Sequence, residues 1–525
     1  MLKWLASLDT DKIKEYVFAT GRLKEIRGAS ALLDDLNRQM TPDQAPKAGV
    51  EVVFMGGGSA MLVFDQQSAA LQFCERVAAL YLETTGSCSI TTTVQSYDPD
   101  VKERDRPDSF HSAMQAAGSH LQSAKFASGR IPSALLSQPL WVRCERCGIY
   151  PATARDRDPG TGWVQVCQVC KTKRENSQPA AHDLKDNSPA ARFKRQAQDF
   201  PAGLVFPNEL GELGDYIGLV YADGNGIGNF IRDHIDTPEE MRAFSSMLEQ
   251  AIQQSLEDAT RPFWKSNLDG KTVPFLPIIL GGDDVLLITT GRIAMRVASQ
   301  LCLKFQEHML ALSESILLKN PRLFHGQPIQ VGMSAGVMIA KSSYPLFALE
   351  PLAAELLRSA KKLTNQLKPD HGIQPAIDFR VVSSTSASSL AAIQNYEYSI
   401  RKGIQATCRP YPCNRLARLA RPAWGDIEEA VDLLRGAHFP RNKLHAWQEL
   451  LHASSDLQAE LDLSVIRSHL SRAEKELMGD ITTRLLHFNN ALDLFIENIP
   501  ERGQKSSPLA DIEEIYEFCV SGGGA

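Results

Sequence analysis

The segment Pro277-Ile278-Ile279-Leu280-Gly281-Gly282-Asp283-Asp284-Val285-Leu286-Leu287-Ile288 decides how the chain is read. Two short aliphatic runs flank Gly-Gly-Asp-Asp, a pattern of strand, tight turn and strand. Glycine lets the backbone reverse sharply, and two adjacent carboxylates at the tip are hard oxygen ligands suited to Mg²⁺ or Mn²⁺. Gly and Asp are also ordinary turn residues, so an acidic hairpin without chemistry is the competing reading. The apolar flanks weigh against it, because they bury both strands and leave Asp283 and Asp284 at a rim.

A matching partner lies sixty residues upstream, in Tyr216-Ile217-Gly218-Leu219-Val220-Tyr221-Ala222-Asp223-Gly224-Asn225-Gly226-Ile227-Gly228. An apolar run ends in Asp223, and a glycine-rich turn then leads into a helix. Backbone N–H groups of Gly224, Asn225, Gly226, Ile227 and Gly228 can cradle phosphates, with Asp223 at the strand end to share the metals. Such a turn alone is weak evidence. Joined to the hairpin, with Gly281 and Gly282 at its bend, it predicts a palm-type metal site of Asp223, Asp283 and Asp284.

The chain of 525 residues allows three or four domains, and 43% hydrophobic against 22% charged residues describes a globular protein with ample core. A net charge of −6 gives no overall attraction to nucleic acid, so any such binding needs a local patch. No run of eighteen apolar residues occurs and the N-terminus reaches charge too early for a signal peptide, so a cytoplasmic location without membrane contact is expected. Ten cysteines in that setting favour reduced thiols and metal binding over disulfides.

Residues 1 to about 140 read as a diverged copy of residues 215 to about 375. Strand Trp4–Leu8 ends in Asp9-Thr10-Asp11-Lys12-Ile13, matching Asp223-Gly224-Asn225-Gly226-Ile227. The run Val52-Val53-Phe54-Met55-Gly56-Gly57-Gly58-Ser59-Ala60-Met61-Leu62-Val63-Phe64 matches the Gly-Gly-Asp-Asp hairpin, with Ser59 and Ala60 falling where Asp283 and Asp284 stand. Each hairpin precedes an amphipathic helix (Ser68–Thr84, Arg292–Leu317) and another strand (Ser89–Ser96, Ile329–Ala340). Duplication explains this order. The first copy lacks the hairpin carboxylates, so only the second can build the full metal site.

Between the copies stand Cys144-Glu145-Arg146-Cys147 and Cys167-Gln168-Val169-Cys170, four thiolates at zinc-knuckle spacing. A closed structural Zn²⁺ site is expected, with a redox CxxC as the weaker competitor. Lys171–Gly203 reads as an exposed linker, and His182-Asp183 within it as solvated loop. Lys361 and Lys362 could reach a triphosphate or complement a helix C-terminus. From about 385 to 500 the pattern is helical. Between Ser399 and Gly425, Arg401, Lys402, Arg409, Arg415, Arg418 and Arg421 form a candidate basic patch for RNA or phosphate, or else a solvated helix face. The tail Ser521–Ala525 is expected to be disordered.

Taken together, the chain resembles the large palm-domain subunit of type III CRISPR effector complexes over most of its length. The likeness rests on Leu23-Lys24-Glu25-Ile26-Arg27-Gly28-Ala29-Ser30, the four-cysteine insert, the Asp223 turn, the Gly-Gly-Asp-Asp hairpin, Ser334-Ala335-Gly336, Arg409-Pro410-Tyr411 and the helical C-terminal region. The hairpin alone also occurs in diguanylate cyclases and polymerases; the ordered set is more specific. In that family two ferredoxin-like palms pack face to face, ATP is joined into cyclic oligoadenylates that activate effector nucleases, and target RNA bound to the guide-carrying complex switches activity on. Many members also carry an N-terminal HD nuclease domain. This sequence begins at the first palm, which leaves DNA cleavage outside what the resemblance implies.

The resulting expectation is an α+β chain with two ferredoxin-like, nucleotidyl cyclase-like palms. The first, degenerate palm spans 1–140, the four-cysteine zinc insert 141–175 and a linker 176–210. The catalytic palm spans 211–380 and a helical domain 381–525. Asp223, Asp283 and Asp284 are assigned to metal and catalysis. Gly224–Gly228, Gly281, Gly282 and Lys361 are assigned to the donor nucleotide, and Gly57, Gly58 and Ser59 to the acceptor. Partners are ATP, other effector subunits, and guide and target RNA held indirectly. The alternatives are a non-catalytic scaffold gripping guide or target RNA, and a stand-alone cyclase with another product.

Overall fold

The computed structural model describes residues 1–127, 141–158, 162–177, 188–266, 270–382, 398–401, 404–416, 421–453, 455–488 and 505–519, together with 392 and 496. His182, Asp183, Lys402, Arg418 and the tail 521–525 lie outside them.

The first sheet holds β1 (Lys3–Thr10), β2 (Val50–Gly56), β3 (Ser59–Phe64) and β4 (Ile90–Tyr97) in the order β2-β3-β1-β4. Strand β1 is followed by α1 (Ile13–Val17), α2 (Leu23–Asp35) and the short α3 (Thr41–Asp43). Helix α4 (Gln67–Thr85) separates β3 from β4 and ends at Gly86, whose φ of 74° suits a residue without a Cβ. Helix α5 (Phe110–Ala127) closes the layer.

The second sheet repeats this plan. It contains β7 (Tyr216–Asn225), β8 (Phe275–Gly281), β9 (Asp284–Thr290), β10 (Gly332–Lys341) and β11 (Ala376–Val381), and its core order β8-β9-β7-β10 mirrors β2-β3-β1-β4. Both are the antiparallel βαββαβ arrangement expected of ferredoxin-like palms. Strand β7 leads through α8 (Ile227–His234) to α9 (Pro238–Thr260). The N-terminus of α9 is fixed by a capping box between Thr237 and Glu240, with Pro238 in the first turn. Helix α10 (Ala294–Lys319) joins β9 to β10, and α11 (Leu346–His371) crosses over to β11, parallel to β10. Every residue of β10 except Lys341 is buried, as a strand covered on both faces requires.

Between the sheets, β5 (Ala154–Asp158) and β6 (Gly162–Val166) form a hairpin, followed by α6 (Gln168–Glu175). Gly28 on α2 is where α6 docks: a Cβ there would stand 1.7 Å from the Lys173 carbonyl oxygen. The surrounding motif is a junction. Buried Glu25 pairs with Arg146 at 3.2 Å, Arg27 reaches Asn208 Oδ1 at 2.8 Å, and the Ser30 hydroxyl donates to the Ile278 carbonyl of β8.

Three sequence expectations change. The linker after the cysteines is not exposed over 188–206. Helix α7 (Pro189–Gln196) packs against β8, and Phe193, fully buried, stands 5.7 Å from the Phe275 ring and 6.2 Å from that of Phe200. Its polar composition hides three phenylalanines whose burial outweighs it.

The C-terminal region is not purely helical. Tyr411–Pro412 adds an edge strand to the second sheet beside β11, and Ser399–Arg401, Ile404–Gln405 and Lys505–Ser506 form a small sheet of their own. Helices Trp424–Gly436, Arg441–Glu449, Asp456–Ser468, Arg472–Asp480 and Leu509–Ile515 complete it.

The basic patch is also consumed internally. Arg409 lies buried between the Phe379 and Tyr398 rings and pairs with Asp511 at 2.9 Å and Glu514 at 3.0 Å. Arg421 is buried against the carbonyls of Cys408 and Pro410, and Arg415 pairs with Asp426 at 2.6 Å. These acids lie outside the acid-free window that suggested a patch. No helix among the described residues is long and apolar enough to cross a membrane.

Candidate active site

Strand β7 is central in its sheet, so Asp223 has neighbours on both sides: Asp284 of β9 and Ser334 of β10 stand opposite it. Directly opposed residues on neighbouring antiparallel strands are among the nearest side-chain neighbours in a sheet. Register alone therefore brings Asp223 and Asp284 together. Asp283 occupies the β8–β9 turn with Gly282, whose φ is 58°. A Cβ on Gly224 would come within 3.0 Å of the Asp283 Cβ, so the bare backbone of Gly224 makes room for that carboxylate.

Three negative groups in so small a space raise one another. Burial, then Asp223 and Asp284, push Asp283 up to about 7. Asp284 is pushed up to about 6, chiefly by burial, against the opposing pull of Lys14. Two ammonium groups relieve part of this. Lys361 of α11 ion-pairs with Asp223 and donates to the Gly224 carbonyl at 2.9 Å. Lys14, on α1 of the first palm, reaches across to Asp284 at 3.2 Å and sits 4.1 Å above the centre of the Tyr221 ring. Lys361 is ten residues from its helix end, which removes the helix-dipole reading. Crowded hard-oxygen donors that only cations relieve suit a divalent ion of the Mg²⁺ class.

The glycine-rich turn is tighter than its sequence suggested. Gly224 and Asn225 still belong to β7, opposite Met333 and Gly332, and only Gly226 bends, with φ 83°. The Asn225 amide donates to Ser334 Oγ at 2.7 Å, which pins β7 to β10. The start of α8 at Ile227, Gly228 and Asn229 carries no side-chain cap and is the part of the turn able to meet phosphate.

In the first palm, Asp9 lies opposite Ser59 as Asp223 lies opposite Asp284. The copies therefore align with Gly58 at the place of Asp283 and Ser59 at that of Asp284, one residue earlier than the sequence match of Ser59 and Ala60. Lys125 of α5 pairs with Asp9 at 2.6 Å, echoing Lys361 with Asp223. Ser59 Oγ donates to Asp9 Oδ1 at 3.0 Å. Gly58 is buried and its carbonyl accepts from Thr10 N and Oγ1, both at 2.7 Å. Gly57 meets the other palm: a Cβ on it would fall 2.3 Å from Gly282 N. Of the three residues assigned to an acceptor nucleotide, Ser59 stays half-exposed, while Gly57 and Gly58 are engaged by protein. Lys14, Asp9 and Lys125 were not singled out as site residues; carrying Lys361 through the repeat onto α5 points to Lys125.

Cys144, Cys147, Cys167 and Cys170 form a second cluster, their sulfurs all within 4.8 Å of one another. Cys147 and Cys167 sulfurs are 3.8 Å apart, the edge of a tetrahedron with metal–sulfur bonds of about 2.3 Å. Cys167 caps α6, accepting from Cys170 N at 3.4 Å, and Ile149 N donates to Cys147 Sγ at 3.5 Å. Hydrogen bonds from the other three cysteines hold Cys144 far below an ordinary thiol, as a thiolate ligand requires. No His or acid joins the cluster among the described residues, so the set fits a closed four-sulfur site.

Residues 216–368 match the family model of the Cas10/Cmr2 second palm domain. Among solved structures, the chain is similar to a Csm1–Csm4 cassette in complex with cA4 (TM-score 0.51, 13% identity, covering 98% of this chain and 69% of that one). The same cassette in complex with cA3 gives TM-score 0.51 and 13% identity at the same coverage. Csm1 from T. onnurineus gives 0.50 and 14%, covering 98% and 68%. No curated protein sequence matches. The resemblance to the large palm-domain subunit of type III CRISPR complexes, and the two-palm α+β fold with its four-cysteine insert, stand on these findings.

Proposed function

We propose that the chain is a metal-dependent nucleotidyltransferase that joins ATP into cyclic oligoadenylates for CRISPR-type antiviral defence, within an effector complex and under RNA control. The observation that carries this reading is the opposition of Asp223 and Asp284 across β7 and β9, with Asp283 on the adjoining turn, at the seam with a second palm. Similar folds solved with cA4 and cA3 support the product class.

Mg²⁺ or Mn²⁺ held by Asp223, Asp283 and Asp284 would make the attacking 3′-hydroxyl more acidic and neutralise phosphate charge. Lys361 holds Asp223 in place and offers its ammonium to the donor triphosphate, whose phosphates lie along the start of α8 at Gly226–Gly228. Lys14 brings a positive charge from the first palm to the same carboxylates. Ser59, Asp9 and Lys125 present a polar, metal-free surface for the acceptor ribose. The four cysteines hold a structural Zn²⁺.

Incubation of the purified protein with ATP and Mn²⁺, with and without effector subunits and target RNA, followed by mass spectrometry, tests the proposal. Cyclic oligoadenylate is expected. ATP left intact under all conditions would refute catalysis and leave the scaffold reading.

A further inference from the structure

The tryptophans are distributed unevenly. Of six, Trp264, Trp424 and Trp447 are buried and Trp4 is half-buried; the two in solvent, Trp141 and Trp163, both belong to the four-cysteine insert. Trp163 is 72% exposed. In the β5–β6 hairpin it stands opposite Arg157, and Arg155 stands opposite Gln165. Alternate residues of a strand share a face, so Arg155, Arg157, Trp163 and Gln165 make the outer one. The inner face carries buried Val164, Val166 and Asp158.

Charge on this ribbon is lopsided. Its acids are spent inward: Asp156 on Arg146 at 2.7 Å and Arg174 at 3.3 Å, Asp158 on Arg22 at 2.5 Å, and Glu145 on the Gln165 backbone N–H at 2.7 Å. Arg155 and Arg157 are exposed and make no ion pair among the described residues. Exposed Arg143 lies on the adjoining segment, bridged to Pro151.

We propose that this outer face binds single-stranded nucleic acid, with Trp163 stacking on a base and Arg155 and Arg157 taking the flanking phosphates. An indole face accepts any base, and guanidiniums match phosphate oxygens in a two-pronged fit. A protein partner is the poorer match, because it would have to desolvate two guanidiniums beside the tryptophan without compensation. Phosphates supply that compensation. The inference is independent of the nucleotidyl-transfer reading.

The test uses the full chain and fluorescence anisotropy with labelled oligouridylate, oligothymidylate and a duplex over a salt series. Trp163→Ala should weaken single-strand binding about tenfold, with Trp163→Phe retaining most of it. Arg155→Gln with Arg157→Gln should lower the slope of log affinity against log salt by roughly 1.4, about 0.7 for each phosphate released. Comparing the two oligonucleotides decides whether RNA or DNA is preferred. All three side chains are exposed, so zinc content and melting temperature should match the parent. Parent-like affinity in Trp163→Ala, an unchanged salt slope, or a duplex bound as tightly as a single strand would overturn the proposal and leave the face to a protein contact.

Discussion

The Cα of Gly57 lies 2.5 Å from where a Cβ on Gly281 would be, so the hairpins of the two palms touch backbone to backbone. Neither position has room for a side chain, and Gly57 also holds a φ of 63°. This contact sets how closely the first palm approaches Asp283 and Asp284. Gly281→Ala should therefore push the palms apart, costing about 1–3 kcal/mol in overpacking and most of the nucleotide turnover. Gly211→Ala, which meets nothing within 4 Å, is the control. Equal melting temperatures and equal product from both variants would dismiss the contact as incidental.

Replacing Asp283 and Asp284 together by alanine should abolish turnover and leave the fold intact, since both are half-buried and hold no part of the apolar core. Product at the parent's level would remove these carboxylates from the mechanism.

Crowding at this site has a pH signature. Asp283 titrates near 7 in the folded protein, against roughly 3.9 when unfolded. The folded state binds the proton more tightly, so stability falls as pH rises through this window and returns on acidification. In metal-free buffer Asp283→Asn should melt higher than the parent above about pH 7, by roughly 2–4 °C for each kcal/mol relieved. The difference should vanish near about pH 4, where the native aspartate is protonated too. Calorimetry across this range checks the sign.

Lys14 and Lys361 each hold a carboxylate that a divalent ion would need. Removing either charge lowers both competition and repulsion, so Lys14→Met should tighten Mn²⁺ binding several-fold while reducing turnover. Electron paramagnetic resonance reads the affinity directly. Weaker Mn²⁺ binding in Lys14→Met would reverse the assignment.

Elemental analysis should find one zinc per chain, and Cys167→Ser should remove it. Thiolate ligation couples metal binding to local folding, and the insert is bound to the first palm by the buried Lys173, which donates to the Tyr16 carbonyl. A lower melting temperature for the first palm is expected. A zinc-free protein with unchanged stability would contradict a structural role.

Local pattern carried much of this protein. The aliphatic runs around Gly281–Asp284 and before Asp223 could only be strands ending in acids, because period and turn chemistry are properties of neighbouring residues. The cysteine spacing and the duplication were readable for the same reason. What tertiary structure decided was everything set by approach between distant segments. Lys14 reaches Asp284 only because two palms pack together, and no spacing in the sequence encodes that 3.2 Å contact. The basic run near Arg409 looked solvent-facing because its partners Asp511 and Glu514 lie about a hundred residues away. Phe193 sat in a polar stretch whose burial depends on Phe275 from another strand. The one-residue offset that puts Gly58, not Ser59, at the place of Asp283 was fixed by the pairing of Asp9 with Ser59, because register is a property of two strands and never of one.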